Sequence, residues 1–411
     1  MPILTEETLS MNLPRMIKAR QKFDTTRIEN IEKAVRQELE QPKIQKLIAA
    51  GQSVAVAVGS RGINNLSAAV KVTVDYLRER GAAPFIVPAM GSHGGATAVG
   101  QAEVLQRYGI TADTMGVPVR SAMEVDLIGR TPDGVPVYMD KNAHAADLVI
   151  PINRVKPHTS MRGAIESGLL KMCVIGLGKH VGCSRLHEEG WEKMSQAVVA
   201  AAEVLLSRTH IGFGLALVEN AYDQTAIVKA LVKDEIIHQE SKLLARAKAM
   251  LPKLMLPDID VLVVEQIGKD ISGAGLDPNI VGRSAIVGRI AGYTGPAIKR
   301  IVVLDLSEAT HGNACGLGNA DFTTRKVFEK LDFPATFANA IAAMGPGTGS
   351  IPVFLDTERE AILAAVKCCG RLSPDGPRIV RIQDTLHLSE IWISENMVPF
   401  VASNDGIEIA G

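Results

Sequence analysis

From Gln52 onward the chain alternates two kinds of stretch. QSVAVAVGSRG at 52–62 is a near-continuous run of small apolar residues that ends in glycine, the pattern of a strand buried on both faces of a parallel sheet. NNLSAAVKVTVDYLRERG at 64–81 follows with helical spacing, asparagine at its start and Gly81 at its stop. The pattern then repeats, with AAPFIVPAM as a strand, GSHGGAT as a loop, and AVGQAEVLQRYG as a helix closed by Gly109. Ahead of these, residues 5–50 hold an edge strand and a helix charged on one face, TRIENIEKAVRQELEQPKIQKLI. Strands alternating with helices predict an α/β fold with a doubly wound, mostly parallel sheet, in which ligands lie beyond the carboxyl ends of the strands. Arg61 and His93 stand at two such ends.

Residues 110–145 read as a meander of short strands, with the Asp133-Gly134 pair favouring a hairpin turn. DLVIPIN at 147–153 returns to the buried-strand pattern and delivers a basic loop, RVKPH. EKMSQAVVAAAEVLLSR reads as a helix, HIGFGLALVEN as a strand, and EIIHQESKLLARAKAMLPKL as a further helix. LPDID near 258 is the best boundary, which predicts a first α/β domain over 1–257 and a smaller second one over 258–389. The last segment, about 390–411, is read as able to pack back on the first domain. The active site is expected in the cleft between the two.

The length of 411 residues fits this division, since a single core stops growing well below it. A formal net charge of -1 implies no nucleic-acid partner. The longest apolar runs, VAVAV and DVLVVEQI, fall far short of the roughly 20 residues a membrane-spanning helix needs. The first residues carry no secretory signal pattern, and five cysteines, an odd number, make no disulfide framework. A cytoplasmic protein with reduced thiols is the expectation.

The candidate chemistry concentrates between Asn153 and His187, where His158, Lys171, His180, His187, Cys173 and Cys183 occur among apolar residues and glycines that would let backbone approach a ligand. The order is strand, basic loop, a helix over RGAIESGLLKM, and a glycine loop, GLGKHVG. A phosphate-binding P-loop is excluded there, because Cys173 and His180 occupy the positions where the motif needs a glycine and a hydroxyl residue. GPGTGS near 345 lacks the third glycine of a dinucleotide fingerprint and reads as a tight turn. ATHGNACGLGNAD at 309–321 reads either as a ligand-lining segment or as a plain loop.

Taken together, SRG with Arg61, GSHGGAT with His93, KPH with His158, then Lys171 and His187 come in an order and spacing that resemble the nickel-dependent lactate racemases and their homologues. The Lys171 to His187 interval is the most specific part. The resemblance implies a racemase or epimerase that inverts carbon 2 of a 2-hydroxy acid, using a nickel-pincer nucleotide made by dedicated cofactor-synthesis enzymes. It implies that Lys171 is joined covalently to that cofactor and that His187 binds the nickel. It also implies that His93 and His158 are the acid/base pair and that Arg61 holds the substrate carboxylate. Breaking an unactivated C–H bond as a proton is beyond a histidine base, whereas removing hydride is feasible if a cofactor accepts it, so the implied chemistry is coherent.

The chain departs from the family pattern in two places. TSMRGAIESGLL between His158 and Lys171 is longer than the family's segment and lacks its paired glycines. The substrate-binding lysine of the family's second domain has no clear counterpart, and Arg283 or Lys269 stands as its replacement. Arg154, Lys156 and Arg162 add positive charge that would suit a longer or dicarboxylic hydroxy acid. Two other classes stay open: a metal-dependent hydrolase or lyase using His158, His187 and Glu166 or Glu188 around zinc, and a non-catalytic cofactor-binding protein.

Overall fold

The computed structural model describes residues 3–60 and 62–410. The chain forms two compact units, one from Thr25 to Leu251 and one that joins the residues up to Asp24 with those from Pro252 onward.

The Thr25–Leu251 unit is built on a five-stranded sheet. In spatial order its strands are Ala83–Pro88, Ser53–Val58, Leu148–Arg154, Phe213–Glu219 and Thr225–Val232. The first four run parallel and the last is antiparallel. The sequence of Ser53–Val58 explains how it lies at the centre. Val54, Val56 and Val58 point to one face, Ala55 and Ala57 to the other, and all five are fully buried. Burying a valine side chain contributes roughly 1.5–3 kcal/mol, so this strand alone favours a sheet covered on both sides. The valine face is covered by helices Ile31–Leu39, Leu66–Glu79 and Ala98–Arg107. The alanine face is covered by Met194–Arg208, Lys233–Met250 and the segment from Leu169 to Leu186. Val125–Arg130 and Pro136–Asp140 form the hairpin expected around Gly134, whose φ is +85°. The antiparallel strand Thr225–Val232 follows a turn that the hydrophobic pattern did not separate from its neighbours.

From Ser53–Val58 the chain moves outward on one side, and from Leu148–Arg154 it moves outward on the other. Their carboxyl ends therefore bound the crevice where a doubly wound sheet binds ligands. The contact is close there, since a Cβ on Gly59 would sit 2.7 Å from Asn153 Oδ1.

The other unit holds an eight-stranded sheet. Val353–Leu355, Phe322–Thr324, Ile298–Val303, Ile259–Val264 and Ile379–Ile382 run parallel, and Glu390–Ser394, Met16–Gln21 and Ile407–Ile409 extend it antiparallel. The division thus differs from the expected one. The chain passes between units at Pro252, which cannot continue the Lys233–Met250 helix. The N-terminal strand, placed in the first domain from sequence, and the segment 390–411, read as able to pack back on that domain, both supply strands of this second sheet. Their register has a visible cause: Lys18 and Arg20 reach Glu390 on the neighbouring strand at 2.8 and 3.1 Å. The GPGTGS segment is a tight 3-10 turn over Pro346–Gly349, as its glycines suggested.

Candidate active site

The carboxyl ends of the central strands carry the candidate residues. After Ala83–Pro88 the chain turns at Met90–His93, and His93 Nδ1 lies against the hydroxyl of Ser60, just past the Ser53–Val58 strand. Arg61, the next residue, lies outside the described residues. The His93 turn packs directly on the segment that follows Lys171: the Gly91 amide donates to Gly176 O at 3.1 Å, and a Cβ on Gly176 would stand 2.6 Å from Ala89 O. Both glycines permit this close approach of backbone to backbone.

A buried polar chain lies behind this turn. Lys179, fully buried and at φ +53°, donates from Nζ to Pro88 O at 2.5 Å and to Gln101 Oε1 at 3.0 Å. Gln101, also fully buried, donates onward to Gly91 O at 2.8 Å and to His93 O at 3.3 Å. Asp140 Oδ2 stands 3.2 Å from the lysine as its ion-pair partner, in a geometry short of a hydrogen bond. Burial pushes the Lys179 amine below its ordinary value and the Asp140 carboxyl above its own, and the attraction between them opposes both shifts.

His158 lies in a loop closed by the backbone pair of Lys156 and Ser167. Its Nδ1 accepts from the amides of Ser160 and Met161, both at 3.0 Å. Its own amide donates to Glu166 Oε2 at 2.8 Å, and Glu166, buried inside the loop, is also paired with Lys248 at 2.6 Å and Arg162 at 3.5 Å. Glu166 is thus a structural anchor. Arg162 is held to this loop, and Arg154 is paired with buried Glu219 and donates to Gly62 O at 3.2 Å. Those two cations, expected to colour the pocket, brace loops. His180 is exposed, and Cys173 is fully buried, its thiol pushed well above its ordinary value by burial.

The helix expected over 162–172 begins only at Leu169. Before it, Gly168 makes room for a buried carboxylate: a Cβ there would meet Glu240 Oε1 at 2.3 Å. Glu240 Oε2 accepts from the Leu170 amide at 3.1 Å, and burial pushes this carboxyl up to about 7. Lys171 ends the short helix, and the chain continues through a π-helical turn, Met172–Gly176, into the helix Lys179–His187, where a glycine loop was expected.

His187 closes that helix. Its Nδ1 donates to Cys183 O at 2.7 Å, because a carbonyl can only accept, so the lone pair stands at Nε2. Burial holds this imidazole below its ordinary value; the bond to Cys183 opposes the shift, and the charge of Lys171 adds to it. The same lysine charge pulls down the Cys183 thiol, which burial pushes up. Lys171, Cys183 and His187 therefore share one neighbourhood, and Ser92 Oγ reaches Cys183 Sγ at 3.9 Å from the His93 turn. Trp191 completes the cluster, its ring centroid 5.2 Å from that of His187 and 5.5 Å from that of His158.

Trp191, Lys179, Gln101, Glu240 and Ser60 had escaped the sequence reading. A lysine inside MCVIGLGKHVG, far from any acidic residue in sequence, was the available sign of a buried partner. Arg283, in the other unit, pairs with Asp321, which also accepts from the Ile301 amide at 2.7 Å, and Lys269 donates to Gly273 O at 2.8 Å.

Among the described residues no three His, Cys, Asp or Glu side chains gather as a metal-ligand set, so the zinc grouping of His158, His187 and Glu166 or Glu188 is not assembled. A metal delivered with its own organic ligands needs less. The donors here, one neutral imidazole with a directed lone pair and a neighbouring lysine amine, fit such a group.

Residues 4–197 match the model of the lactate racemase N-terminal domain. None of the curated proteins compared matches the chain. Among solved structures, the lactate racemase apoprotein from Thermoanaerobacterium thermosaccharolyticum aligns with 13% identity and a TM-score of 0.47, over 94% of this chain and 90% of that one. A structural-genomics target from Thermotoga maritima aligns with 14% identity and a TM-score of 0.52, over 77% of this chain and 82% of that one, and shares the fold. No helix among the described residues is long and apolar enough to cross a membrane. Residues 4–197, just under half of the chain, are thus similar to the N-terminal domain of lactate racemases.

Proposed function

We propose that this protein is a racemase or epimerase that inverts carbon 2 of a 2-hydroxy acid, with a nickel-pincer nucleotide attached covalently at Lys171 and its nickel bound by His187. The observation that carries this reading is the His187 imidazole, held neutral with its lone pair at Nε2 beside the charge of Lys171. When bound, the nucleotide supplies an acceptor for the hydride of carbon 2, which no side chain offers.

The chain's own residues do the rest. His93 and His158 handle the hydroxyl proton, whose departure accompanies loss of the C–H bond and whose return accompanies its re-formation on the opposite face. Trp191 packs against both His158 and His187, which sets the spacing of the proposed proton-handling and metal-binding rings. Arg61 is the proposed partner of the substrate carboxylate.

Exchange of a carbon 2 label across a panel of 2-hydroxy acids, including sugar acids and dicarboxylates, tests the function. The protein is produced together with the cofactor-building enzymes. Stereochemical inversion of at least one member supports the proposal. Inversion of none, by protein whose Lys171 adduct and nickel are verified, refutes it.

A further inference from the structure

From Phe333 to Leu355 the chain carries no charged residue. The helix Phe333–Ala342 opens this stretch and exposes large apolar side chains: Phe337 at 45%, Ile341 at 69% and, just past the helix, Met344 at 50%. Spacings of four and then three residues put all three on one side, with exposed Pro334 and Ala338 beside them. The opposite side is the one the fold uses. Thr336 and Ala340 are buried there, and Gly349 of the following turn packs so closely that a Cβ on it would meet Ala340 Cβ at 3.2 Å. Rings back the exposed side: the centroid of Phe337 is 5.7 Å from that of Phe333, Phe333 is 5.9 Å from Phe328, and Phe328 stacks on Phe354 of the edge strand at 4.7 Å.

We infer that this face is an interface between two copies of the chain, paired about a two-fold axis so that Phe337 of each copy packs against Ile341 of the other. Single exposed apolar residues are ordinary, and others among the described residues, such as Val99, Leu127 and Val181, stand far apart in the sequence. Three within about two helical turns make a patch. Charge then selects the occupant. The acidic residues that flank the stretch are engaged within the chain: Asp332 accepts from the Ala335 amide at 2.9 Å and Asp356 from Arg325 at 2.6 Å. The face therefore offers a partner apolar contact without charge, and the surface that matches it on those terms is the same face on a second copy. When it meets itself no charge has to be buried or matched, which suits a self-complementary two-fold contact.

Helix packing and area both fit this contact. Phe337 and Ile341 form a ridge of four-residue spacing, and two such ridges interdigitate at a crossing angle near −50° with axes about 8–10 Å apart. At the exposures above, the three large side chains contribute on the order of 300 Å². Pro334, Ala338, Ala342 and Pro346, all exposed, extend the apolar area towards the roughly 800 Å² that each partner brings to a standard interface. A contact at or below that size predicts a dimer that dissociates in the micromolar range.

Sedimentation velocity of the full chain, from about 1 to about 100 μM, is the test. The expected result is a shift from monomer to dimer as concentration rises. Phe337→Lys and Ile341→Lys should each weaken the dimer about 100-fold or more, since a two-fold axis makes every substitution act twice. Leu127→Lys, at an exposed position in the Thr25–Leu251 unit, should leave it unchanged. Mixing Phe337→Glu with Ile341→Lys should recover a dimer, because the two variants bring opposite charges to the proposed contact. Far-UV circular dichroism of each variant should match the wild type, and if a lysine variant fails to fold, Ile341→Ser carries the same readout. A wild-type protein still monomeric at about 100 μM overturns the inference; if that monomer binds phosphatidylcholine vesicles, the face belongs to a lipid surface instead. A dimer that survives both lysine substitutions overturns it as well. The face contains none of the residues proposed for the reaction, so the outcome is independent of the racemase reading.

Discussion

Lys179 donates to Gln101 across 3.0 Å with both side chains fully enclosed, and this pair joins the helix that ends at His187 to the turn that carries His93. Lys179→Met would leave Asp140 as an unpaired buried carboxylate, a change that typically costs about 3–5 kcal/mol. Urea unfolding should register that loss, and adding Asp140→Asn should recover most of it, since asparagine keeps the cap on the Ala143 amide, now 2.9 Å from Asp140 Oδ1. A double variant as unstable as the single one would show that the lysine's worth lies elsewhere.

Gln101→Leu removes the bonds to the Gly91 and His93 carbonyls, and with them one acceptor of Lys179, while filling the same space. Small displacements of a reacting group cost up to about 10²-fold, so kcat of loaded protein should fall by tenfold or more. KM should stay within about twofold, since uniform binding is untouched. A change confined to KM would contradict the positioning role.

Glu240 gives a pH signature. Its carboxyl stands at about 7 in the folded protein, against an ordinary value of 4.5, because it is buried. Between those values the folded state binds more protons than the unfolded chain, so stability falls as pH rises from about 4.5 to about 7 and levels off above. Glu240→Gln lacks this dependence and should match the wild type near pH 4.5 while exceeding it at pH 8 by on the order of 3 kcal/mol. Parallel stability curves for the two proteins from acid to alkaline pH would contradict the burial account.

His187 and Trp191 should separate cleanly. His187→Ala removes the proposed metal bond, so metal analysis of purified protein should show nickel lost while the Lys171 adduct persists. Trp191→Leu leaves that nitrogen in place and should retain nickel yet slow turnover through the spacing of His158 and His187. Loss of the metal from Trp191→Leu and its retention by His187→Ala would reverse the assignment.

The alternation of buried strands and amphipathic helices made the α/β class legible, because a strand covered on both faces must be apolar throughout, as Ser53–Val58 is. Several features resisted reading. Met16–Gln21 carries mixed polar and apolar residues, and only its partner Glu390, far along the chain, explains where it pairs. The 162–168 segment has helical composition, yet Glu166 is drawn to Lys248 and Ser195 Oγ donates to Ile165 O at 2.6 Å, contacts that hold it as a loop. Local sequence names His93, His158, Lys171 and His187; the groups that orient them, Ser60, Gln101, Lys179, Glu240 and Trp191, become visible only when distant segments meet.

The covalent state of Lys171 tests the central claim most directly. The protein should be made in cells that also make the nickel-pincer nucleotide, then digested and mapped by mass spectrometry alongside a nickel determination. The account predicts the nucleotide's mass on the peptide bearing Lys171 and about one nickel per chain, one imidazole sufficing for a metal that brings its other ligands with it. An unmodified Lys171 in such cells, where a known lactate racemase takes up the nucleotide, would contradict it.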